Sequence, residues 1–347
     1  MGRLRDQVKI QTLARDLGVR ASGDAVEAIV RFCERRVKHF VEGFPDYSTF
    51  TLSDVLESVA SKVTTVFEVI RGDDDLQRIQ RRYVERGEKG FANLPGEFRT
   101  SEDFGLTIRL DNREPWQPMF VSVIDCRGDK GYREYFTKWH EVVHLLIATD
   151  QMRLSFRRTH CAGNKGDPEE ILVDIIAGRL GFRPPAGFDF AADEISFDAI
   201  ESLRSELCPE SSKQAALIGF VRYWPSPCLL VTAKPGLRKR ELERLQQQTF
   251  SFVETPPAML RAVQITPSNA AREAGFNIFR NMRIPEQSVI ARLFADGGPR
   301  EEAEAEECLS WWESSDGGVL PKCQVVVKAR RSWDSVEALI SPIDDLN

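Results

Sequence analysis

The amino-acid sequence predicts an α+β fold with a helical N-terminal region, a mixed central region and a small β-rich C-terminal domain. Apolar residues recur at the spacing of a helix over residues 4–42. Strand-like alternation at residues 104–126 comes just before a long apolar helical run. Beyond residue 258, further strand-like segments alternate with turn residues, which predicts a domain made mainly of strands.

Changes in this pattern divide the chain into four predicted regions. Residues 1–100 are expected to be mainly helical, and residues 101–233 to form a mixed core with trailing helices. Residues 234–257 carry many charged side chains and predict a linker. Residues 258–347 form the β-rich accessory domain, in which no residue identifies a ligand.

The composition limits the classes of protein to which the chain can belong. A chain of 347 residues is long enough for two or three domains with a buried core. The formal net charge of −6 disfavours nucleic acid as a partner without excluding it, because a local basic patch needs few residues. Seven cysteines with no Cys-x-x-Cys pair favour reduced thiols. With neither a signal-peptide core nor a run of membrane-spanning length, we expect a cytoplasmic protein with no membrane partner.

The first region is expected to begin with a helical hairpin. Leu13–Val19 has the character of a helix-turn-helix, but a plain hairpin with solvated basic faces explains the same residues and is favoured. Thr51–Ala60 predicts a capped helix, and residues 62–70 alternate as a strand does. Asp73–Asp75 predicts a helix start, because no glycine-containing calcium loop follows.

The segment Lys138–Ile147 contains the motif His-Glu-x-x-His inside an apolar helical run. Residues four apart share one face of a helix, so His140 and His144 can bind one metal ion while Glu141 lies beside it. Two satisfied core histidines are the alternative interpretation. The whole chain has four histidines, and two of them fall at this spacing with a glutamate between them. The motif therefore favours a zinc site.

A catalytic zinc ion needs a third protein ligand and an open position for water. Asp167 and Pro168 are typical of the cap and first residue of a helix. Glu170 then lies in the first turn and is the predicted third ligand, with Glu169 as the adjacent alternative. Asp174, one turn further on the same face, can accept the second N–H of a ligating histidine and fix its tautomer.

These residues resemble the ImmA/IrrE-type metallopeptidases, a gluzincin-like family. The resemblance depends on His140, Glu141 and His144, followed by the Glu-x-x-x-Asp-x-x-Ala-Gly segment Glu170–Gly178. It covers Phe104–Pro184, which is under a third of the chain. The chain departs from the family pattern in two places: where the family usually has glycine before the second histidine, and after the second metal helix.

The resemblance implies a zincin-like metallopeptidase core in which Zn²⁺ is held by His140, His144 and Glu170, with Glu141 as the catalytic general base. It also implies a regulatory endopeptidase with a protein substrate, such as a transcriptional repressor cut in a stress response. The strand just before the metal helix, residues 119–124, is implied to be the sheet edge along which an extended substrate pairs its backbone.

Three more residues are candidates for the site. His160 lies in a loop beside two arginines, where it is a further ligand, a substrate contact or a solvated side chain. Tyr223 is a candidate stabiliser of the oxyanion, because amide hydrolysis benefits from a phenol at the developing charge. Cys126 is interpreted as structural, since nothing in the sequence pairs it with a base.

Two other functions remain open from the sequence. One is a zinc hydrolase that acts on a small amide. The other is a non-catalytic regulatory protein in which zinc is structural, for which a closed site with His160 as a fourth ligand would be characteristic. Other divalent ions such as Mn²⁺ can occupy the same ligands.

The C-terminal region contains three predicted strands, at residues 260–266, 282–290 and 324–329. Between them lies an acidic run, Glu301–Glu307. Such a run is most simply a solvated loop or the start of a helix.

Overall fold

In the computed structural model the chain divides into two compact units. The first unit is Met1–Gly187 with Leu203–Gly219, and the second is Phe188–Ser202 with Phe220–Asn347. The structure describes residues 4, 7–20, 23–42, 51–100, 103–148, 156–159, 167–183, 194–237, 258–296, 301–314 and 318–343. The four predicted regions, including the linker, remain a prediction.

The N-terminal region is helical, as predicted. Helix α1 (Val8–Asp16) and helix α2 (Ala25–Val41) form the expected hairpin. Helix α3 (Leu52–Lys62) begins at a capping box, in which the Thr51 side chain and the carboxylate of Asp54 each bond the other's backbone N–H. Two orphan donors of the first helical turn are thereby satisfied.

A four-stranded mixed sheet follows in the first unit. Its strands are β1 (Thr65–Ile70), β2 (Asp103–Arg109), β3 (Phe120–Asp125) and β4 (Phe156–Thr159), in the order β1-β3-β2-β4. Strand β1 runs parallel to β3, and β2 is antiparallel to both β3 and β4. The expectation that the strand before the metal helix is a sheet edge is wrong, because β3 is hydrogen-bonded on both sides.

Helix α4 (Asp73–Glu85) starts at the three aspartates, as predicted, and packs on the sheet with a short helix α5 (Leu94–Glu97). Short 3₁₀ turns occur at Lys89–Phe91 and Gly128–Arg133. An apolar cluster fills this side of the sheet, with Leu106 and Ile108 contributed by β2. One face of the sheet is therefore closed by α4 and α5.

Two helices carry the predicted site. Helix α6 (Glu134–Ile147) packs on β2 and β3, and helix α7 (Pro168–Phe182) packs beside α6. Asp167 caps α7 by accepting the N–H of Glu169, and Pro168 is its first residue, as predicted. Helices α8 (Phe197–Leu207) and α9 (Lys213–Tyr223) follow, and the boundary between the two units falls inside each of them.

The second unit is built on a five-stranded antiparallel sheet. Its strands are β5 (Leu229–Gly236), β6 (Met259–Pro267), β7 (Glu302–Cys308), β8 (Gln324–Ser332) and β9 (Ser335–Pro342). Their order is β6-β5-β9-β8-β7. This arrangement confirms the mixed α+β fold with a β-rich C-terminal region.

Two details of this unit differ from the sequence prediction. Residues 282–290 do not form a strand: Ser288 caps helix α11 (Val289–Ala295), and only isolated bridges form around Arg283. The acidic run is strand β7 and not a loop or helix start, because its glutamates alternate with alanines that face inward. Helix α10 (Asn269–Glu273) and a 3₁₀ turn at Leu309–Trp311 complete the described elements.

The state of the cysteines agrees with the reduced thiols predicted from the composition. Six cysteines lie in the described part of the chain, and all six are free thiols. No helix among the residues described is both long and apolar enough to cross a membrane.

Candidate metal centre

The two motif histidines lie on the buried side of α6. The His140 side chain is completely buried, and His144 is 3% exposed. Apolar neighbours on the same helix, including Trp139 and Leu146, hold it between the sheet and the adjoining helices. Because these contacts fix the helix, the two imidazoles are placed before any ion binds.

Three side chains converge on one point. The Nε2 atoms of His140 and His144 are 3.1 Å apart. Glu170 on α7 places Oε2 3.2 Å from Nε2 of His140 and Oε1 3.5 Å from Nε2 of His144. These donor atoms all lie within 4.8 Å of one another and could hold a metal ion.

A hydrogen bond at the other ring nitrogen of His140 shows which nitrogen carries the proton. Its Nδ1 lies 2.9 Å from Oδ1 of Asp174. A carboxylate only accepts, so Nδ1 must carry the proton, and in a neutral ring Nε2 then presents a lone pair. That lone pair faces the carboxylate of Glu170. Two acceptors at this distance repel unless a cation lies between them or the ring is protonated.

The donor set fits zinc. For bonds of about 2.0–2.1 Å in a tetrahedral site, neighbouring donor atoms are about 3.3 Å apart. The two Nε2 atoms are 3.1 Å apart, and each lies 3.2 or 3.5 Å from one of the two oxygens of Glu170, which is close to that value. Two imidazoles and one carboxylate are also the ligand types found in catalytic zinc sites.

One side of the cluster is open to solvent. The side chain of Glu170 is 37% exposed and that of Asp174 is 40% exposed, whereas both histidines are buried. Within the described residues, the group of donors contains three side chains and no fourth. His160, the predicted further ligand, lies outside the described residues. The two carboxylates of α7 are therefore the solvent-exposed part of the group.

The start of α7 explains why Glu170 and not Glu169 reaches the histidines. Asp167 caps the helix and accepts a hydrogen bond from Lys9, with its Oδ2 3.0 Å from Nζ. Burial opposes ionisation of Asp167, but the hydrogen bonds from Lys9 and from the N–H of Glu169, together with the charge of Lys9, outweigh it and lower the pKa. Burial, followed by the charges of Asp167 and Glu170, raises the pKa of Glu169. The Glu169 carboxylate does not join the donor group.

Glu141 faces the sheet. It is completely buried, and its Oε2 accepts a hydrogen bond of 2.7 Å from the hydroxyl of Thr107 on β2. Gly105, two residues earlier on the same strand, leaves the space: a Cβ there would lie 2.6 Å from Oε1 of Glu141. Neither Gly105 nor Thr107 was predicted from the sequence to belong to the site. Their only signal was a small and a hydroxyl residue two apart on one strand face.

The remaining candidates are placed as follows. Cys126 is buried beside Glu134, and burial raises the pKa of its thiol to about 12, so it stays protonated and is structural, as predicted. Tyr223 ends α9 in the second unit, and its role at an oxyanion stays a prediction.

Comparison with known proteins does not identify the site. No model of a known protein family matches the sequence, and no curated protein matches it either. The interpretation of the centre therefore depends on its own geometry and on the motif that carries it.

Proposed function

We propose that the chain is a zinc-dependent metallo-endopeptidase that hydrolyses peptide bonds in a specific protein partner, such as a transcriptional repressor in a stress response. The observation that carries the proposal is the group of His140, His144 and Glu170, open on one side. The choice of a protein substrate is supported by the resemblance of the motif to the ImmA/IrrE-type peptidases.

His140, His144 and Glu170 would hold the ion. Zinc bound there supplies Lewis-acid chemistry, because it polarises a carbonyl group and lowers the pKa of water towards 7. Asp174 keeps the proton of His140 on Nδ1 and so keeps Nε2 available as a ligand. Glu141 is the proposed general base, which takes the proton of the attacking water and delivers it to the leaving amine.

A second candidate function is a regulatory protein with a structural zinc ion. The observation that favours it is the complete burial of Glu141, whose carboxylate is bonded to Thr107 inside the unit. In that case Glu141 is a satisfied core group and the protein cleaves nothing. A hydrolase of small amides is distinguished from a peptidase by its products.

The metal is tested first, by elemental mass spectrometry of the purified protein. We expect near-stoichiometric zinc in wild type and in Glu169→Ala, and loss of zinc in Glu170→Ala, because only Glu170 contacts both imidazoles. The two variants remove neighbouring carboxylates from the same helical turn and so control for charge. Absence of metal from wild type purified without chelator would contradict the proposal. Loss of zinc from His160→Ala would favour the closed structural site.

Catalysis is tested with Glu141→Gln against a library of peptides and denatured proteins, with products read by mass spectrometry. We expect zinc content and fold to be kept and cleavage to fall by about 10²- to 10⁴-fold, as for loss of a general base. Cleavage at the wild-type rate would exclude Glu141 as the base. Zinc-loaded wild type that cleaves no peptide bond would favour the regulatory candidate.

A further inference from the structure

A chain of buried hydroxyl groups crosses the sheet of the first unit and ends on Glu141. The hydroxyl of Thr65 on β1 lies 3.0 Å from that of Ser122 on β3, and Ser122 lies 2.7 Å from Thr107 on β2. Thr107 then lies 2.7 Å from Oε2 of Glu141. All four side chains are buried. Three strands thus contribute one hydroxyl each to a single path.

The direction of these hydrogen bonds follows from the last acceptor. An ionised carboxylate accepts only, so Thr107 must donate its proton to Glu141. Its oxygen is then free to accept from Ser122, which in turn accepts from Thr65. Thr107 and Ser122 therefore each donate and accept, Thr65 donates at the far end, and the polarity of the whole chain points at the carboxylate. Such an arrangement stabilises a buried charge that apolar surroundings would penalise.

The sheet register places the donor beneath the helix. Thr107 and Ser122 are directly opposite each other on neighbouring antiparallel strands. Gly105 and Thr107 are two apart on β2 and share the face towards Glu141, where a Cβ on Gly105 would collide with the carboxylate. One residue supplies the room and the other supplies the hydrogen bond. Together they allow one placement of the Glu141 side chain.

We propose that Thr107 is a positioning residue for Glu141, held by Ser122 and Thr65 so that the carboxylate keeps a fixed orientation relative to the metal ligands on the same helix. The inference depends on the proposed function, because it assigns a role in the reaction to a residue that touches neither metal nor substrate. Gly105 acts with Thr107 by excluding a side chain from the position of the carboxylate.

The test compares three variants of the full chain. Thr107→Val removes the donor with little change of volume, and Thr107→Ser keeps a hydroxyl at that position. Thr65→Val removes the hydroxyl at the far end of the chain, two hydrogen bonds from Thr107. We expect kcat for the peptide library to fall about 10- to 100-fold in Thr107→Val, as for a misplaced catalytic group, with KM and zinc content unchanged. Thr107→Ser should recover most of that loss, and Thr65→Val should lose less. Equal kcat in all three variants, or loss of zinc from Thr107→Val, would overturn the proposal.

A readout without catalysis keeps this test separate from that of the proposed function. We expect Thr107→Val to lower the thermal midpoint of the wild-type protein more than that of a Glu141→Ala background, because the bond to Ser122 is lost in both but the bond to Glu141 is already absent from the second. Wild type could cleave nothing while Thr107→Val still lowers the thermal midpoint more in wild type than in the Glu141→Ala background. In that case the peptidase assignment fails and the contact between Thr107 and Glu141 stands. If the midpoint shifts are equal in both backgrounds, Thr107 does not act through Glu141.

A glycine pair gives a steric version of the same experiment. Gly105→Ala forces the Glu141 carboxylate to move, whereas Gly90→Ala places a Cβ 2.8 Å from the Ile108 methyl group on the opposite face of β2. We expect the first variant to lose activity with zinc retained, and the second to lose only stability. Equal activity in the two variants would contradict the placement of Glu141 by β2.

Discussion

In the first unit the sheet buries hydroxyl groups against a helix, whereas the sheet of the second unit buries an apolar face. Thr107 and Ser122 meet across neighbouring strands beneath Glu141. On β8, by contrast, Val325, Val327 and Ala329 alternate inward into a cluster of aliphatic and aromatic side chains. The helix-facing side of the first sheet and the buried face of the second are therefore chemically different.

Buried polar groups of the second unit serve local backbone groups instead. Ser268 caps α10, and Glu307 accepts the backbone N–H of Val289 at the start of α11. A buried hydroxyl without a hydrogen bond costs about 1–3 kcal/mol. The buried hydroxyls compared here are therefore hydrogen-bonded in both units, but to different kinds of partner. In the second unit the bonds complete secondary structure. In the first unit they connect side chains of separate strands to the motif helix, which is where we place the chemistry.

The largest expected effect of this contrast is on stability. Trp312 is completely buried in the apolar cluster of the second unit, so Trp312→Ala should lower the free energy of unfolding by about 3–5 kcal/mol. We expect zinc content to stay at the wild-type level, measured by elemental analysis beside urea denaturation. Trp333→Ala, at the fully exposed tip of the β8–β9 hairpin, is the matched control and should change neither. Loss of zinc in Trp312→Ala would show that the two interiors are coupled.

A pair of buried serines sharpens the comparison. Ser122→Ala removes the two hydrogen bonds that join Thr65 to Thr107, and Ser268→Ala leaves three backbone groups without their side-chain partner. Each should lower stability by about 1–3 kcal/mol. Peptide cleavage should fall only in Ser122→Ala, as measured at equal zinc loading. Equal loss of cleavage in both variants would remove the functional difference between the sheets.

Acid titration should affect buried carboxyl groups of the two units in opposite directions. Burial opposes ionisation of Asp125, but hydrogen bonds from Arg127 and Lys130 lower its pKa, so its contribution to stability is present above about pH 3.9 and is lost as the pH falls further. Burial raises the pKa of Glu307, so its contribution is present below about pH 4.3 and is lost as the pH rises.

Urea midpoints between pH 3 and pH 7 measure these opposite slopes. We expect Asp125→Asn to have a lower urea midpoint than wild type at pH 7. Its midpoint should then fall less than that of wild type as the pH is lowered. Glu307→Gln should gain relative to wild type as the pH rises through the same interval. If the two variants shift in the same direction, the assigned pKa changes are wrong for at least one group.

Several elements were predictable because local chemistry decided them. Asp167 and Pro168 placed the start of α7, and Thr51 with Asp54 placed that of α3, since capping depends on residues within one turn. The spacing of His140 and His144 fixed their shared helical face in the same way. Glu170 was chosen from its position in the first turn, and it is the carboxylate that joins the histidines.

Features that depend on distant partners were not predictable. Glu301–Glu307 is rich in good helix formers, yet β8 supplies Lys328 and Arg330 opposite Glu304 and Glu302, and the run forms a strand. Residues 282–290 are apolar enough for a strand, but their pairing with β6 is limited to an isolated bridge at Arg283, and the Ser288 cap then starts α11. The central position of β3 is also a property of the whole sheet and not of its sequence.

The hydroxyl chain shows the same limit within the site. Alternation on β2 indicates that Gly105 and Thr107 share a face, but a threonine on an alternating strand is usually expected to face water. Only the packing of α6 on that face turns the hydroxyl towards Glu141. A motif can therefore name the charged groups of a site while the residues that orient them stay hidden.

The acidic strand β7 carries a row of like charges along an edge of its sheet. It ends the five-stranded sheet among the described strands, and Glu302, Glu304 and Glu306 are exposed along it. An open strand edge is a template for pairing with a second molecule, and a row of like charges keeps such edges apart. Resistance to edge-to-edge pairing thus depends on a strand that is distant in sequence from every residue of the metal centre.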